Sequence, residues 1–140
     1  MLCNNLPPRI YESLKTLCYL ADADRPLQAQ EIASAAKLPP AQTAKILQMM
    51  TWAGFVESRR GTKGGFWLAK QADRIRVTDV ADFFAHHGKA NHSKEQDGLL
   101  KALEQATAHC RKQFSRITVA DLAKASGCEQ AARPAARVRR

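Results

Sequence analysis

Long apolar runs are missing from this 140-residue chain. The longest near its start is Leu17 to Ala21, far short of the roughly 20 residues a membrane-spanning helix needs. No basic segment followed by an apolar one opens the sequence, so no secretory leader is expected and the cytoplasm is the expected compartment. Cysteine is sparse and scattered, at Cys3, Cys18, Cys110 and Cys128. In a reducing compartment these thiols are not expected to form a disulfide framework. Also absent are a Ser/His/Asp arrangement, a phosphate-binding glycine loop ahead of a helix, and a carboxylate pair, so an enzyme has little support. No internal repeat is present.

Acidic residues are scarce too: 13 Asp and Glu against 22 Lys and Arg, a net charge of +9. The excess is local. Arg59, Arg60, Lys63, Lys70, Arg74 and Arg76 face only Asp73 within residues 59–76, and Arg133, Arg137, Arg139 and Arg140 face only Glu129 within residues 129–140. Charge confined to one short segment and one tail suggests a polyanionic partner. A solvated face with a solubilising tail would give the same count.

Periodicity supplies the elements. Ile10, Leu14, Leu17, Cys18 and Ala21 recur at helical spacing behind Pro7 and Pro8, predicting a helix over residues 8–22. Leu27 and Gln28 read as a short extended piece. Residues 30–37 read as a short helix with Ile32, Ala33 and Ala36 inside. Pro39 and Pro40 open a third helix, with Thr43, Ile46, Leu47 and Met50 as its back and Gly54 just past its end. Ala41, Gln42, Lys45 and Gln48 form its front. Residues 55–60 and 66–69 read as strands joined by the glycine-rich loop 61–65. Thr78 is a candidate cap for a helix burying Val80, Phe83 and Phe84. A polar, histidine-rich loop follows over residues 86–93. Next comes a long helix over residues 94–114, with Leu99, Leu103, Ala106, Cys110 and Phe114 on a coiled-coil-like seam. A last helix capped by Thr118 spans residues 118–126, and the Ala/Arg-rich remainder reads as disordered.

The fold class is therefore mainly α with a small two-stranded wing: a winged helix-turn-helix plus a long dimerisation helix. The expected units are a DNA-binding domain over residues 8–88, a dimerisation helix and C-terminal helix over residues 94–126, and a basic tail over residues 127–140. A helix with an apolar back and a small or polar front can enter a major groove, where amides pair with adenine and Lys reaches guanine or phosphate. Arg59, Arg60 and Lys63 beside the hairpin tip can neutralise phosphates or lie in a narrow minor groove.

Three segments carry a resemblance: YESLKTLCYLA, EIASAAKLPPAQTAKILQMMTWAGFVESRRGTKGGFWLAK, and ITVADL near the end. Together they resemble the IscR/NsrR/BadM-type winged-helix regulators, the Rrf2 family, over about residues 9–125. GFVESRRGTKGGFWLA is the most specific part, matching the family pattern G-L-V-x-S-x-R-G-x-x-G-G-Y-x-L-A almost position by position. The resemblance implies a homodimeric transcription factor, usually a repressor, that contacts double-stranded DNA through wing and recognition helix. It places the wing arginine at Arg60 beside Gly61, and recognition-helix contacts at Pro40, Ala41, Gln42 and Ala44; the charge pattern adds Lys45, Arg59 and Lys63.

The chain departs from this family where well-known members bind an iron–sulfur cluster through three cysteines just before and into the dimer helix. Residues 86–101 hold no cysteine, and where some relatives use an N-terminal carboxylate this chain has Arg9 and Ile10. No cluster is therefore expected. His86, His87 and His92 fall in the corresponding loop, with His109 beyond. Imidazoles suit zinc, copper or iron, but no Cys or Asp/Glu pattern reinforces them, so no metal is expected. Cys110, between His109 and Arg111, is either a small seam residue or a thiol primed by a neighbouring cation. Cys18 is expected to be inert core, and Trp52 and Trp67 to be packing residues. The leading expectation is a cluster-free, dimeric, sequence-specific DNA-binding regulator. The alternatives are a protein-interaction scaffold on the same fold, and a thiol- or metal-responsive sensor with weak DNA binding.

Overall fold

The computed structural model of the chain describes residues 7–87, 108 and 110–126. Helix α1 spans Pro8–Ala21, with a proline in its first turn, where a missing amide costs no hydrogen bond. It buries Ile10, Leu14, Leu17, Cys18 and Leu20, while Ala21 is only half-buried. Helix α2 (Ala29–Ala36) follows a turn and buries Ile32, Ala33 and Ala36. Its start is fixed by the Gln28 amide, which donates to Glu31 Oε2 at 2.7 Å. Lys37 ends α2 in the left-handed region, with φ 54°.

Helix α3 (Pro40–Trp52) buries Thr43, Ile46, Leu47 and Met50, the expected back. Gly54, with φ 78°, turns the chain into the hairpin. Strands β1 (Val56–Arg59) and β2 (Gly65–Leu68) pair antiparallel, from Val56 opposite Leu68 to Arg59 opposite Gly65. Gly65 is thus a strand residue rather than the last loop residue. After a 3-10 turn at Ala72–Arg74, helix α4 runs over Val77–His87, residues 110–114 are helical, and α5 spans Val119–Ser126.

The last helix shares the core of the first three. Leu17, Ile32, Leu47 and Met50 are fully buried from one side, and Ile75, Val80 and Val119 from the other. A backbone bridge pairs Arg76 with Thr118; Val77 donates to Ile117 O at 3.0 Å and Val119 donates to Ile75 O at 2.8 Å. Thr118 caps α5 as expected. Its amide donates to Asp121 Oδ2 at 3.0 Å and its hydroxyl accepts from the Asp121 amide at 3.3 Å, a reciprocal cap. The Thr118 amide, with its hydroxyl, holds the Asp121 carboxyl below its usual value.

Three local expectations are corrected. Thr78 does not cap α4: the helix starts at Val77, Asp79 Oδ2 accepts the Arg76 amide at 3.0 Å, and Thr78 is buried in the first turn. A carboxylate three residues on caps as well as a hydroxyl, and here it wins. Val80 is fully buried, but Phe83 and Phe84 are half-buried and meet edge to face, centroids 5.4 Å apart. His86 and His87 belong to α4 rather than to a loop, because the helix runs past Phe84. Most of the long seam helix, including Leu99, Leu103 and Ala106, lies outside the described residues, as do His92, His109 and residues 127–140.

One buried group on α1 is unsatisfied. Ser13 is fully buried and its hydroxyl has no hydrogen-bond partner among the described residues. Leaving a buried hydroxyl unpaired costs about 1–3 kcal/mol. Ser13→Ala removes the hydroxyl without opening space, so it is expected to raise unfolding stability by about 1 kcal/mol in urea denaturation. A loss of stability would show that this hydroxyl is partnered in solution.

Candidate nucleic-acid interface

The exposed side of α3 is narrow. Ala41, Ala44, Lys45 and Gln48 are exposed, and Trp52 on the same stripe is 77% exposed. Trp52 is therefore not a packing residue. Helical spacing puts it directly opposite the buried stripe of Thr43, Ile46, Leu47 and Met50. Gln42 leaves the expected front as well: it is half-buried, and its Nε2 donates to Glu12 Oε2 on α1. It shares with Ile46 and Met49 a stripe that turns partly toward α1, so its amide stands at the edge of the exposed front. Pro39 and Pro40 are exposed at the start of α3, and Pro39 O accepts the Thr43 amide at 3.0 Å.

The hairpin follows α3 after one turn and carries its cations in the open. Glu57, Ser58 and Arg59 on β1 are exposed, as are Arg60, Gly61, Thr62 and Lys63 in the loop. Trp67, half-buried on β2, donates from Nε1 to Glu57 Oε2 at 3.0 Å across the strands.

Backbone contact fixes the hairpin on the body. Leu27 and Phe66 exchange hydrogen bonds, Leu27 N to Phe66 O at 3.0 Å and Phe66 N to Leu27 O at 2.8 Å, so the short extended piece is a one-residue third strand. Gln28 Nε2 adds a bond to Gly64 O at 2.8 Å. Gly65 allows this approach, and Gly64 allows the hairpin's own tight turn. A Cβ on Gly65 (φ 138°) would lie 2.6 Å from Leu27 O, and one on Gly64 would lie 2.1 Å from Arg59 O.

Beside the hairpin the surface carries charge of both signs, with Asp24 in the same groove as the cations. Arg25, in the turn before α2, lines one shallow groove of about 360 Å³ with Arg59, Lys63 and Trp67. Its guanidinium grips Glu31 through two bonds, at 2.6 and 3.2 Å. That pairing holds the Glu31 carboxyl below its usual value, with the Gln28 amide assisting, and raises Arg25. Sequence reading missed Arg25 because Asp22 and Asp24 beside it cancel its charge locally.

The two described cysteines, Cys18 and Cys110, do not meet each other. Cys18 is a buried thiol outside any disulfide, its Sγ directed at Val119 O at 4.0 Å. Cys110 is half-buried and disulfide-bonded, contrary to the expectation of free thiols. That expectation rested on compartment alone, whereas pairing is decided by which cysteines the fold brings within reach. Phe114 packs against the chain's own core, and Arg111 Nη2 contacts Asp82 Oδ2 of α4 at 2.5 Å. Among the described residues no cluster of His, Cys, Asp and Glu could hold a metal ion.

Comparison with known proteins agrees with this architecture. The family model "Rrf2: Iron-dependent Transcriptional regulator" matches residues 9–125. A candidate helix-turn-helix transcriptional regulator of Aquifex aeolicus is 38% identical over 73 residues, 51% of each chain. YwgB of Bacillus subtilis, another candidate regulator of this type, is 31% identical over 84 residues, 60% of this chain and 52% of its own. The chain thus spans about half the length of the curated relatives it matches. Among solved structures, T. potens IscR superposes with a TM-score of 0.73 at 20% identity, covering 87% of this chain and 88% of its own. CymR, the global cysteine regulator of B. subtilis, gives 0.68 at 20% identity over 86% and 97%. At that identity the structures bear on fold alone.

Gly65→Ala tests the docking of the hairpin. A methyl cannot fit 2.6 Å from Leu27 O, and the positive φ is strained for alanine. Faster amide exchange at Leu27 and Phe66 is expected, with a stability loss of about 1–3 kcal/mol. Unchanged protection at both amides would mean that the hairpin is held elsewhere.

Proposed function

Because the chain belongs to the Rrf2 family of transcriptional regulators, we propose that it is a homodimer that binds specific sites in double-stranded DNA and regulates transcription, as a repressor. One observation carries this reading: Arg59, Arg60 and Lys63 stand exposed on a hairpin fixed beside the exposed stripe of α3. Phosphate neutralisation by the wing supplies affinity. Side chains near the start of α3 supply discrimination, as in other helix-turn-helix proteins.

In this reading Pro40, Ala41 and Ala44 let α3 approach the groove closely, Gln42 and Lys45 reach bases or phosphates, and Gly61 lets the wing tip meet the backbone. Arg25 extends the phosphate track past Lys63. Trp52, at the far end of the same stripe, faces the DNA flank, and its exposure is accounted for by that surface being covered in the complex.

The family's iron–sulfur cluster is not part of the proposal. Cluster ligation wants convergent thiolates; here Cys18 is closed inside the core against Val119 and Cys110 is disulfide-bonded. Neither of these two described thiols is available to a cluster, which supports the cluster-free reading. Dimerisation is assigned to the seam residues Leu99, Leu103, Ala106, Cys110 and Phe114. Sedimentation at micromolar concentration is expected to report about twice the chain mass, and a monomer there would remove the homodimer from the reading.

The central experiment is DNA selection followed by a salt-titrated binding series. Wild type is expected to select a pseudo-palindrome with half-sites about 34 Å apart. Replacing Arg60 and Lys63 with Ala is expected to weaken binding to most sequences and to reduce the salt slope by about one unit per lost phosphate contact. If Arg60 lies in the minor groove, A·T-rich flanks will lose most. A wing variant that binds as tightly as wild type would favour the interaction-scaffold reading instead.

A further inference from the structure

On the DNA-binding reading above, we propose that Glu12 of α1 is a positioning residue for base recognition: it clamps the Gln42 side-chain amide and thereby sets the preference for adenine at one operator position. Gln42 lies in the first turn of α3, the part of a recognition helix that meets base edges. Its Nε2 donates to Glu12 Oε2.

Chemistry fixes the sense of that contact. An ionised carboxylate only accepts hydrogen bonds, so the amide must turn its nitrogen, not its oxygen, toward Glu12. The flipped amide would set oxygen against oxygen. With one N–H spent on Glu12, Gln42 keeps Oε1 and its second N–H. These are the acceptor and donor that adenine's N6–H and N7 require. Guanine presents two acceptors on the same edge and would oppose Oε1.

The surroundings support a clamp. Glu12 and Gln42 are both half-buried, in a groove of about 350 Å³ between α1, α3 and α4. Ile46, Met49 and Phe84 give it apolar walls, which restrict the glutamine stem. Arg9 and Lys45 line the same groove, so the carboxylate has cations beside it when a polyanion approaches. A glutamine held in this way has lost its rotamer freedom before binding, so the contact is preorganised.

The test uses the full chain and compares Glu12→Ala, Glu12→Met, Gln42→Ala and the Glu12→Ala/Gln42→Ala double variant. Glu12→Met keeps the stem and helix propensity while removing the acceptor, and thermal melting checks each fold. Affinities are measured for the selected duplex and for every single-base change in one half-site. Gln42→Ala is expected to flatten discrimination at one position by about fivefold or more. Both Glu12 variants are expected to flatten the same position, the double variant to match Gln42→Ala, and the salt slope to stay unchanged. Glu12→Gln keeps the shape but can donate as well as accept, so it no longer fixes the sense of the Gln42 amide and is expected to lose part of the adenine preference.

The proposal is overturned if the Glu12 variants keep wild-type preference while Gln42→Ala flattens it, or if they tighten binding to all sequences alike. The second result would make Glu12 a charge that merely repels phosphate. It also falls if Gln42→Ala changes no position. Wild type that binds no duplex would instead remove the DNA-binding reading on which this rests.

Discussion

Two backbone hydrogen bonds between Leu27 and Phe66 decide where the hairpin stands. A two-stranded ribbon alone is marginal in water. Here it gains a third, one-residue strand from the segment that opens α2, and Gln28 ties the same segment to Gly64. Since Gln28 also begins the cap of α2, and α2 packs on α3, the angle between wing and α3 is transmitted through a few residues. Gly65 is the steric condition for this joint, since its Cβ would meet Leu27 O, while Gly64 closes the hairpin itself, where a Cβ would meet Arg59 O. The exposed cations of the loop sit at a defined place relative to α3 because this joint is made of backbone, not of long side chains.

Much of this was legible in the sequence. The three helices, the buried stripe from Thr43 to Met50, the glycine ending α3, the hairpin and the Thr118 cap follow from periodicity and local chemistry, which act over one or two turns. What stayed hidden depends on distant partners. The Arg76–Thr118 bridge joins segments far apart in sequence and leaves no periodic trace, so Ile75 and Val119 were not recognisable as centres of the core. Gln42 passed for a fully exposed, unheld residue because a wheel drawn for α3 alone does not contain α1 or Glu12. Trp52 was misjudged for the opposite reason: hydrophobicity argued for burial, while its position on the stripe already argued for exposure.

The interface that results is divided in an unusual proportion. α3 shows alanine at Ala41 and Ala44, proline at its start, and only Lys45 and Gln48 as exposed polar groups beside the retracted Gln42. The wing and the turn at Arg25 carry most of the charge that could meet a phosphate backbone. Phosphate contacts carry little sequence information, whereas base-edge contacts carry most of it. On the proposed reading, such a surface would bind many duplexes through its wing and distinguish among them through few side chains, so the orientation of each would weigh heavily.

This division also bears on how the chain could respond to a signal. The cysteines of the described residues do not face the candidate interface: Cys18 lies in the packing between α1 and α5, and Cys110 stands in the helical segment near Asp82 of α4. Any change at either would have to pass through α1 or α4 to reach α3. α1 is the more direct route, because it carries both Cys18, on its core side, and Glu12, on the side that meets Gln42. A helix in close-packed contact moves as a unit rather than by bending locally. On the proposed reading, a shift of α1 along α5 would move Glu12 together with Cys18 and disturb the Gln42 amide, and because α1 also packs on β2 the wing would feel the same shift.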